Sequence, residues 1–271
     1  MNGISARDSS YIEVWNNVSY IGSLGSATNG SLSYVLDNKL SLEHSLSNPR
    51  SHSAIYCDNA TVVSERNIYR GFGRPIRVLG DGTVISKNNA FIGCIRDLHL
   101  NANVVFIDNC FIETSDSSIF NLVGGNITVR NSIFLNDGKE LIARWGNQIT
   151  FEGCAFQDFD QNAMEGIEGF GELNEVNDNG DSTDVFGNIF MDPELINIYP
   201  MEYRLLRNSP CIDAAIAEND EIDPDGSPLD IGPIPFNHDN NPVVIVSSYL
   251  EPGNHIVVGE EVRCGMETED D

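Results

Sequence analysis

The sequence predicts an all-β chain wound as a parallel β-helix, and three observations carry that prediction. A register returns about every 22 residues, apolar residues within each copy alternate with a period of two, and one anchor position recurs through the series. The copies are clearest at Val62–Tyr69, Val84–Phe91, Val105–Ile112, Ile127–Phe134 and Ile149–Phe156, with weaker ones at Val18–Gly25 and Leu40–Ser47. The anchor falls at Gly22, His44, Arg66, Asn88, Asn109, Asn131 and Gly153, with spacings of 22, 22, 22, 21, 22 and 22. Self-similarity at one short period is the signature of a solenoid.

Each element follows from that register. Val18, Leu40, Val62, Val84, Val105, Ile127 and Ile149 form one column and Tyr20, Leu42, Ser64, Ser86, Ile107, Val129 and Phe151 a second, both mostly apolar, with mostly polar neighbours. Such alternation gives strands with one buried face. A 22-residue unit is too short for a helix pair, and the Leu and Asn spacing of leucine-rich repeats is absent. What remains is short parallel strands stacked about 4.8 Å apart. The anchor should turn a corner, because Asn tolerates left-handed backbone. The amides of Asn88, Asn109 and Asn131 are expected to hydrogen-bond along the axis as a ladder. About eight such coils fill residues 1–192. Residues 193–236 follow as a loop-rich cap, and 237–271 form a tail. Its stretches Asn241–Ser248 and His255–Val262 read as two strands. They suit either the opening of an immunoglobulin-like module or an ordinary acidic tail.

Composition narrows the partners. With 271 residues and 41% apolar content the chain can bury a long core. A net charge of −26 and a pI near 4.2 repel nucleic acid and anionic membranes. Between Asp158 and Asp230 there are 19 acidic residues against two Arg. No apolar stretch is long enough for a membrane span, and no signal peptide stands at Met1. The register places an anchor just before Met1, so the sequence is expected to open in mid-coil, within a longer chain that carries the export signal and first cap. Of the six cysteines, Cys110 and Cys154 share a column two rungs apart. That distance, about 9.6 Å, exceeds the roughly 7 Å a disulfide spans. Cys57, Cys94 and Cys211 have no partner in register either. Buried thiols are expected.

Beyond the repeats the chain carries Gly187-Asn-Ile-Phe190-Met-Asp192-Pro193, Tyr203-Arg204-Leu205 and Ser209-Pro210-Cys211-Ile212-Asp213-Ala214. Asp223-Pro-Asp225-Gly226 follows, then Asp230-Ile231-Gly232. These segments resemble the C-terminal part of surface-anchored bacterial β-helix proteins, and the repeats resemble the right-handed parallel β-helix repeat family of the pectin-lyase-like superfamily. The resemblance implies a right-handed coil, an extracellular or cell-surface location, further domains in the same chain, and often a polysaccharide partner. It implies no enzyme by itself. Two features depart from the pattern: the basic residue after the Asp-Gly turn is missing, and Gly232 runs into Pro233-Ile-Pro235.

The candidate chemistry lies in the column before the anchor: Glu65, Lys87, Asp108, Arg130 and Glu152. Alternating sign on successive outward positions makes an ionic ladder. The same strip, from Lys87 to Glu152, suits a carbohydrate-facing surface. A third use is a lyase site on uronate-containing glycans, with Lys87 or Arg130 as base and calcium held by Asp108 and Glu152. The Asp-Asp and Gly-His-Gly motifs of galacturonan hydrolases are absent, as is the Asp-Pro-His-Asp run of alginate epimerases. His44 should pack in the ladder, while His99 stands beside Asn121 and Tyr56, in strands where Arg77 and Arg144 blur the parity. After Gly153 the spacing stretches to 34, which expels a loop containing Asp178, Asp181 and Asp184 around Gly180. Those carboxylates are candidate Ca2+ ligands, with a solvated acidic turn as the plainer reading. The same two readings apply to Asp220–Asp230. The expected function is a non-catalytic β-helix module that presents a rigid face to carbohydrate or another surface, with the calcium-dependent lyase as the alternative.

Overall fold

A computed structural model describes residues 4–6, 11–15, 18–19, 25–28, 30–41, 53–94, 98–114, 118–135, 140–142, 148–159, 167–198 and 202–238. Every regular element among them is a strand. The strands fall into three stacks. The first contains β1 (Ile4–Ala6), β4 (Gly25–Thr28), β7 (Ser53–Asp58), β10 (Arg74–Leu79), the opening of β13 (Leu98–Asp108) and of β15 (Ser118–Arg130), and β17 (Glu140–Ile142). The second contains β2 (Tyr11–Trp15), β5 (Leu32–Leu36), β8 (Thr61–Glu65), β11 (Thr83–Lys87), the ends of β13 and β15, and β18 (Gln148–Glu152). Because β13 and β15 run through the corner, these stacks form one 12-stranded sheet. The third is a separate 7-stranded sheet of β3 (Val18–Ser19), β6 (Lys39–Ser41), β9 (Ile68–Arg70), β12 (Ala90–Cys94), β14 (Phe111–Thr114), β16 (Ile133–Leu135) and β19 (Ala155–Gln157). All the pairings within the three stacks are parallel. The chain is a parallel β-solenoid.

The corner between the second and third stacks explains the repeat. Asp37, Arg66, Asn88, Asn109 and Asn131 all have φ between 47° and 54°, and Gly153 and Gly187 continue the column at 60° and 74°. The expected left-handed anchor is therefore present from Arg66 onward. The amide ladder, however, stands one residue later than expected. Asn38 Nδ2 donates to Asn67 Oδ1 at 2.9 Å, and Asn67 Nδ2 to Asn89 Oδ1 at 3.0 Å. The same oxygens accept the backbone N–H groups of Asn38 and Asn67, each at 2.8 Å. Further along, Cys110 N donates to Ser132 Oγ and Cys154 N to Asn188 Oδ1. The anchor supplies the bend, and its successor satisfies the buried polar groups.

A second correction concerns the first coils. Leu36 pairs with Glu65, so Asp37, and not His44, occupies the corner before Arg66, 29 residues away. Leu40 lies in the third stack opposite Tyr69, not in the column of Val62. Period-two alternation is the same in every strand, so it cannot distinguish one stack from another. Gly22 and His44 themselves lie outside the described residues, as do Arg144 and the tail from 239 onward.

The two residues after the ladder position point in opposite directions. Tyr69, Phe91, Ile112, Phe134 and Phe156 face the interior of the coil. Tyr69 stacks on Phe91 at 5.2 Å, and Phe134 on Phe156 at 4.9 Å. At the C-terminal end, Phe190 continues that column at 5.3 Å from Phe156, and Phe159 and Phe170 close over it. This aromatic plug ends the core. Ala90, Phe111, Ile133 and Ala155 face outward, where Leu205, Cys211, Ile212 and Ile231 cover them. The third sheet is thus buried on both faces. The covering chain folds as an antiparallel hairpin of β22 (Leu195–Ile198) and β23 (Glu202–Leu205), followed by turns. Tyr203 stacks on Phe111 at 4.4 Å. Gly232 donates its N–H to Asn131 O at 2.9 Å. Its φ of 115° and the approach of Ile133, 2.7 Å from where a Cβ would stand, require glycine there.

Candidate functional site

The charged column is aligned as its spacing predicts. Glu65 pairs with Lys87, Lys87 with Asp108, Asp108 with Arg130, and Arg130 with Glu152 along the second stack. Lys87 Nζ lies 3.8 Å from Asp108 Oδ2, with the two side chains 42% and 17% exposed. Arg66, on the adjoining corner, donates two bonds of 2.7 and 2.8 Å to Asp37 and reaches Glu65 at 3.2 Å. Hydrogen bonding to Arg66 holds the Asp37 carboxyl below its ordinary range. Burial pushes Asp108 up, Lys87 and Arg130 oppose that, and Glu221 and Glu218 add to it.

Arg130 departs from expectation. Its side chain is only 7% exposed, because the segment after Cys211 folds across it. The guanidinium donates to Ile216 O at 3.0 Å and to the Glu218 carboxylate, while Glu152 stands 3.9 Å from Nε. Next to it, Asn131 and Ile216 exchange two bonds, 3.0 Å from Nδ2 to Ile216 O and 2.8 Å from Ile216 N to Oδ1. Arg130 therefore fastens the covering segment and does not face solvent, which corrects its reading as an open surface residue. Lys87 and Glu152 stay open and Asp108 partly so.

The residues that sequence reasoning missed lie beside the strip. Tyr34, Val63, Ile85 and Phe106 follow one another in register on the outward side of the second stack. Tyr34, Ile85 and Phe106 are partly exposed, and Val63 is nearly covered. Thr128 and Thr150 continue the column. Lys87 Nζ lies 5.4 Å from the Phe106 ring centre, within cation–π range. The signal was present in the sequence: Val63, Ile85 and Phe106 are apolar at positions whose parity points outward.

The loop with the candidate Ca2+ ligands Asp178, Asp181 and Asp184 is organised by its own hydrogen bonds. Asn177 and Asp181 close a turn between β20 (Glu175–Val176) and β21 (Ser182–Thr183), with Asp181 N donating to Asn177 Oδ1 at 2.8 Å. Asp178 is exposed. Asp184 is buried, and its carboxylate accepts from the N–H groups of Gly171, Phe186 and Asn188 and from Asn188 Nδ2. With its lone pairs so occupied, it acts as a structural knot. Among the described residues, no three His, Cys, Asp or Glu side chains gather as metal ligands.

In the other acidic stretch, Asp223 and Asp230 are buried within their own turn. Asp223 accepts from Asp230 N at 3.0 Å, and Asp230 from Asp213 N at 2.8 Å. Desolvation, with Asp230 second, pushes Asp223 up to about 6. Cys57, Cys94, Cys110, Cys154 and Cys211 are free and buried, with thiols raised by desolvation. The side chain of His99 lies outside the described residues; its backbone pairs with Asn121 as expected, while Arg77 stands between it and Tyr56. No helix among the described residues is long and apolar enough to cross a membrane. No family model, curated protein or solved structure matches this chain.

Proposed function

We propose that this chain is a non-catalytic β-helix module, extracellular or at a cell surface, that binds a linear polysaccharide along the outward face of its second strand stack. The observation that carries the reading is the track of Tyr34, Val63, Ile85 and Phe106, bordered by Glu65, Lys87 and Asp108. Sugar rings have an apolar C–H face and a hydroxyl rim. A track of apolar side chains repeating about every 4.8 Å, edged by charged hydrogen-bonding groups, suits several consecutive rings of a polymer better than a small ligand. The backbone beneath is a continuous sheet, so the face is pre-organised and little ordering entropy opposes binding.

The lyase alternative needs a base free to meet the substrate. Arg130 is taken by Ile216 and Glu218, which leaves Lys87, itself next to Asp108. The binding role is favoured for that reason. The resemblance of the repeats to the pectin-lyase-like superfamily, of residues 187–236 to surface-anchored β-helix proteins, and the expected further domains fit the same setting.

Co-sedimentation with a panel of neutral, amino-bearing and uronate polysaccharides, read together with unsaturated-uronate absorbance, tests the proposal. Retention without cleavage is expected, and Phe106→Ala should weaken it roughly tenfold, the loss of about 1.4 kcal/mol. Calcium-dependent unsaturated product would establish the lyase instead, and no retention by any polymer would refute the module.

A further inference from the structure

We infer that the polymer taken by this face carries free amino groups, an inference that rests on the glycan-binding reading above. Each base on the face is already engaged. Arg66 binds Asp37 and Glu65, Lys87 lies against Asp108, and Arg130 is held by Glu152 and Glu218. That sets five carboxylates against three bases, in three ion-paired groups on successive rungs of one strand stack. Glu221 adds a further negative charge near Asp108.

The surplus has a consequence for each class of polymer. A uronate or sulfated chain would find no unengaged cation on the strip and would approach a protein of net charge −26. A neutral chain would gain from Tyr34 and Phe106 but nothing from the charge. A chain of amino sugars gains from both. Its rings pack on the apolar track, and its ammonium groups sit beside the carboxylates that border it, with long-range attraction accelerating encounter. Glu65 and Glu152 suit this role best, since both remain open to solvent at opposite ends of the strip.

The test compares a β-linked glucosamine oligomer with its N-acetylated counterpart and with a polyuronate, by titration calorimetry at low and high salt. The pH should be slightly acidic, where the amines are charged. The free-amine oligomer should bind at least roughly tenfold more tightly than the acetylated one at low salt, and high salt should remove most of that advantage. Glu65→Gln with Glu152→Gln should bring the two oligomers to the same affinity with an unchanged circular dichroism spectrum, which separates charge recognition from loss of fold. Equal affinity for the two oligomers, or tighter binding of the polyuronate, would overturn the inference and leave the glycan-binding module standing. Failure of all three to bind would instead remove the module reading.

Discussion

Replacing Asn67 by Leu should cost this protein a large part of its stability. The Asn67 side chain lies inside the corner and bonds to Val35, Asn38, Ser64, Glu65 and Asn89. Its Oδ1 accepts Asn38 N at 2.8 Å and Asn38 Nδ2 at 2.9 Å, and its Nδ2 group has Val35 O at 2.7 Å and Glu65 O at 2.9 Å among its acceptors. Leucine fills similar volume but leaves the buried N–H of Asn38 and the carbonyl of Val35 without these partners, while Glu65 O keeps its bond from Asp37 N. At roughly 1–3 kcal/mol for each of these two groups, partly offset by relaxation, the cost is about 2–5 kcal/mol. A domain stable by about 5–15 kcal/mol would lose much of its margin. Urea unfolding followed by circular dichroism measures this as a fall in midpoint. The informative control is Asn109→Gly, at the neighbouring anchor column. Asn109 Oδ1 has no hydrogen-bond partner, and glycine accepts the φ of 48° without strain, so the change should stay within about 1 kcal/mol. Equal losses in the two variants, or a loss below about 1 kcal/mol for Asn67→Leu, would refute the division of labour between bend and ladder.

Three further outcomes are expected. Phe156→Ala should destabilise by about 3–5 kcal/mol, because Phe156 packs on Phe134, Phe151, Phe159, Phe170 and Phe190 at the closed end, and calorimetric melting would show it. The thiols of Cys57, Cys94, Cys110, Cys154 and Cys211 should resist an aromatic disulfide reagent in the folded protein and react together on unfolding; rapid native labelling of any would contradict their burial. Asp223 is raised to about 6 in the fold against 3.8 as an ordinary carboxyl. The folded state therefore holds its proton more tightly, and this group's contribution to stability rises as pH falls from about 7 toward 4 and levels off below the ordinary value. Asp223→Asn should flatten that part of the urea-midpoint profile, and an unchanged slope would show that Asp223 is not its source.

From Arg66 to Gly153 the register was legible in the sequence because the coils hold a spacing of 21 or 22 residues. It slipped before that because the 29-residue step from Asp37 to Arg66 breaks the period while the alternation looks unchanged. The ladder was placed one residue early for a related reason. Asn88 and Asn89 are adjacent, and the true ladder continues as Cys110, Ser132 and Cys154, whose chemistry does not look like an amide series. Polarity alone cannot distinguish a residue that bends the chain from one that satisfies it. The charged strip was visible because neighbours on adjacent rungs recur in the sequence. The clasp on Arg130 was not, since Ile216 and Glu218 lie 86 and 88 residues away in a segment with no repeat. The bonds that Asp184 accepts from Gly171, Phe186 and Asn188 were not legible either, because an acidic loop shows its carboxylates in the sequence but not the N–H groups around them.

Hydroxyl-radical footprinting with and without a retained polysaccharide tests the central claim most directly, because it reads the binding face residue by residue. The account predicts protection of Tyr34, Ile85 and Phe106, with Tyr203 and Phe236, on the covered side of the third sheet, unchanged. Protection confined to the third sheet, or to the hairpin around Asn177, with Tyr34 and Phe106 as reactive as in the free protein, would contradict it.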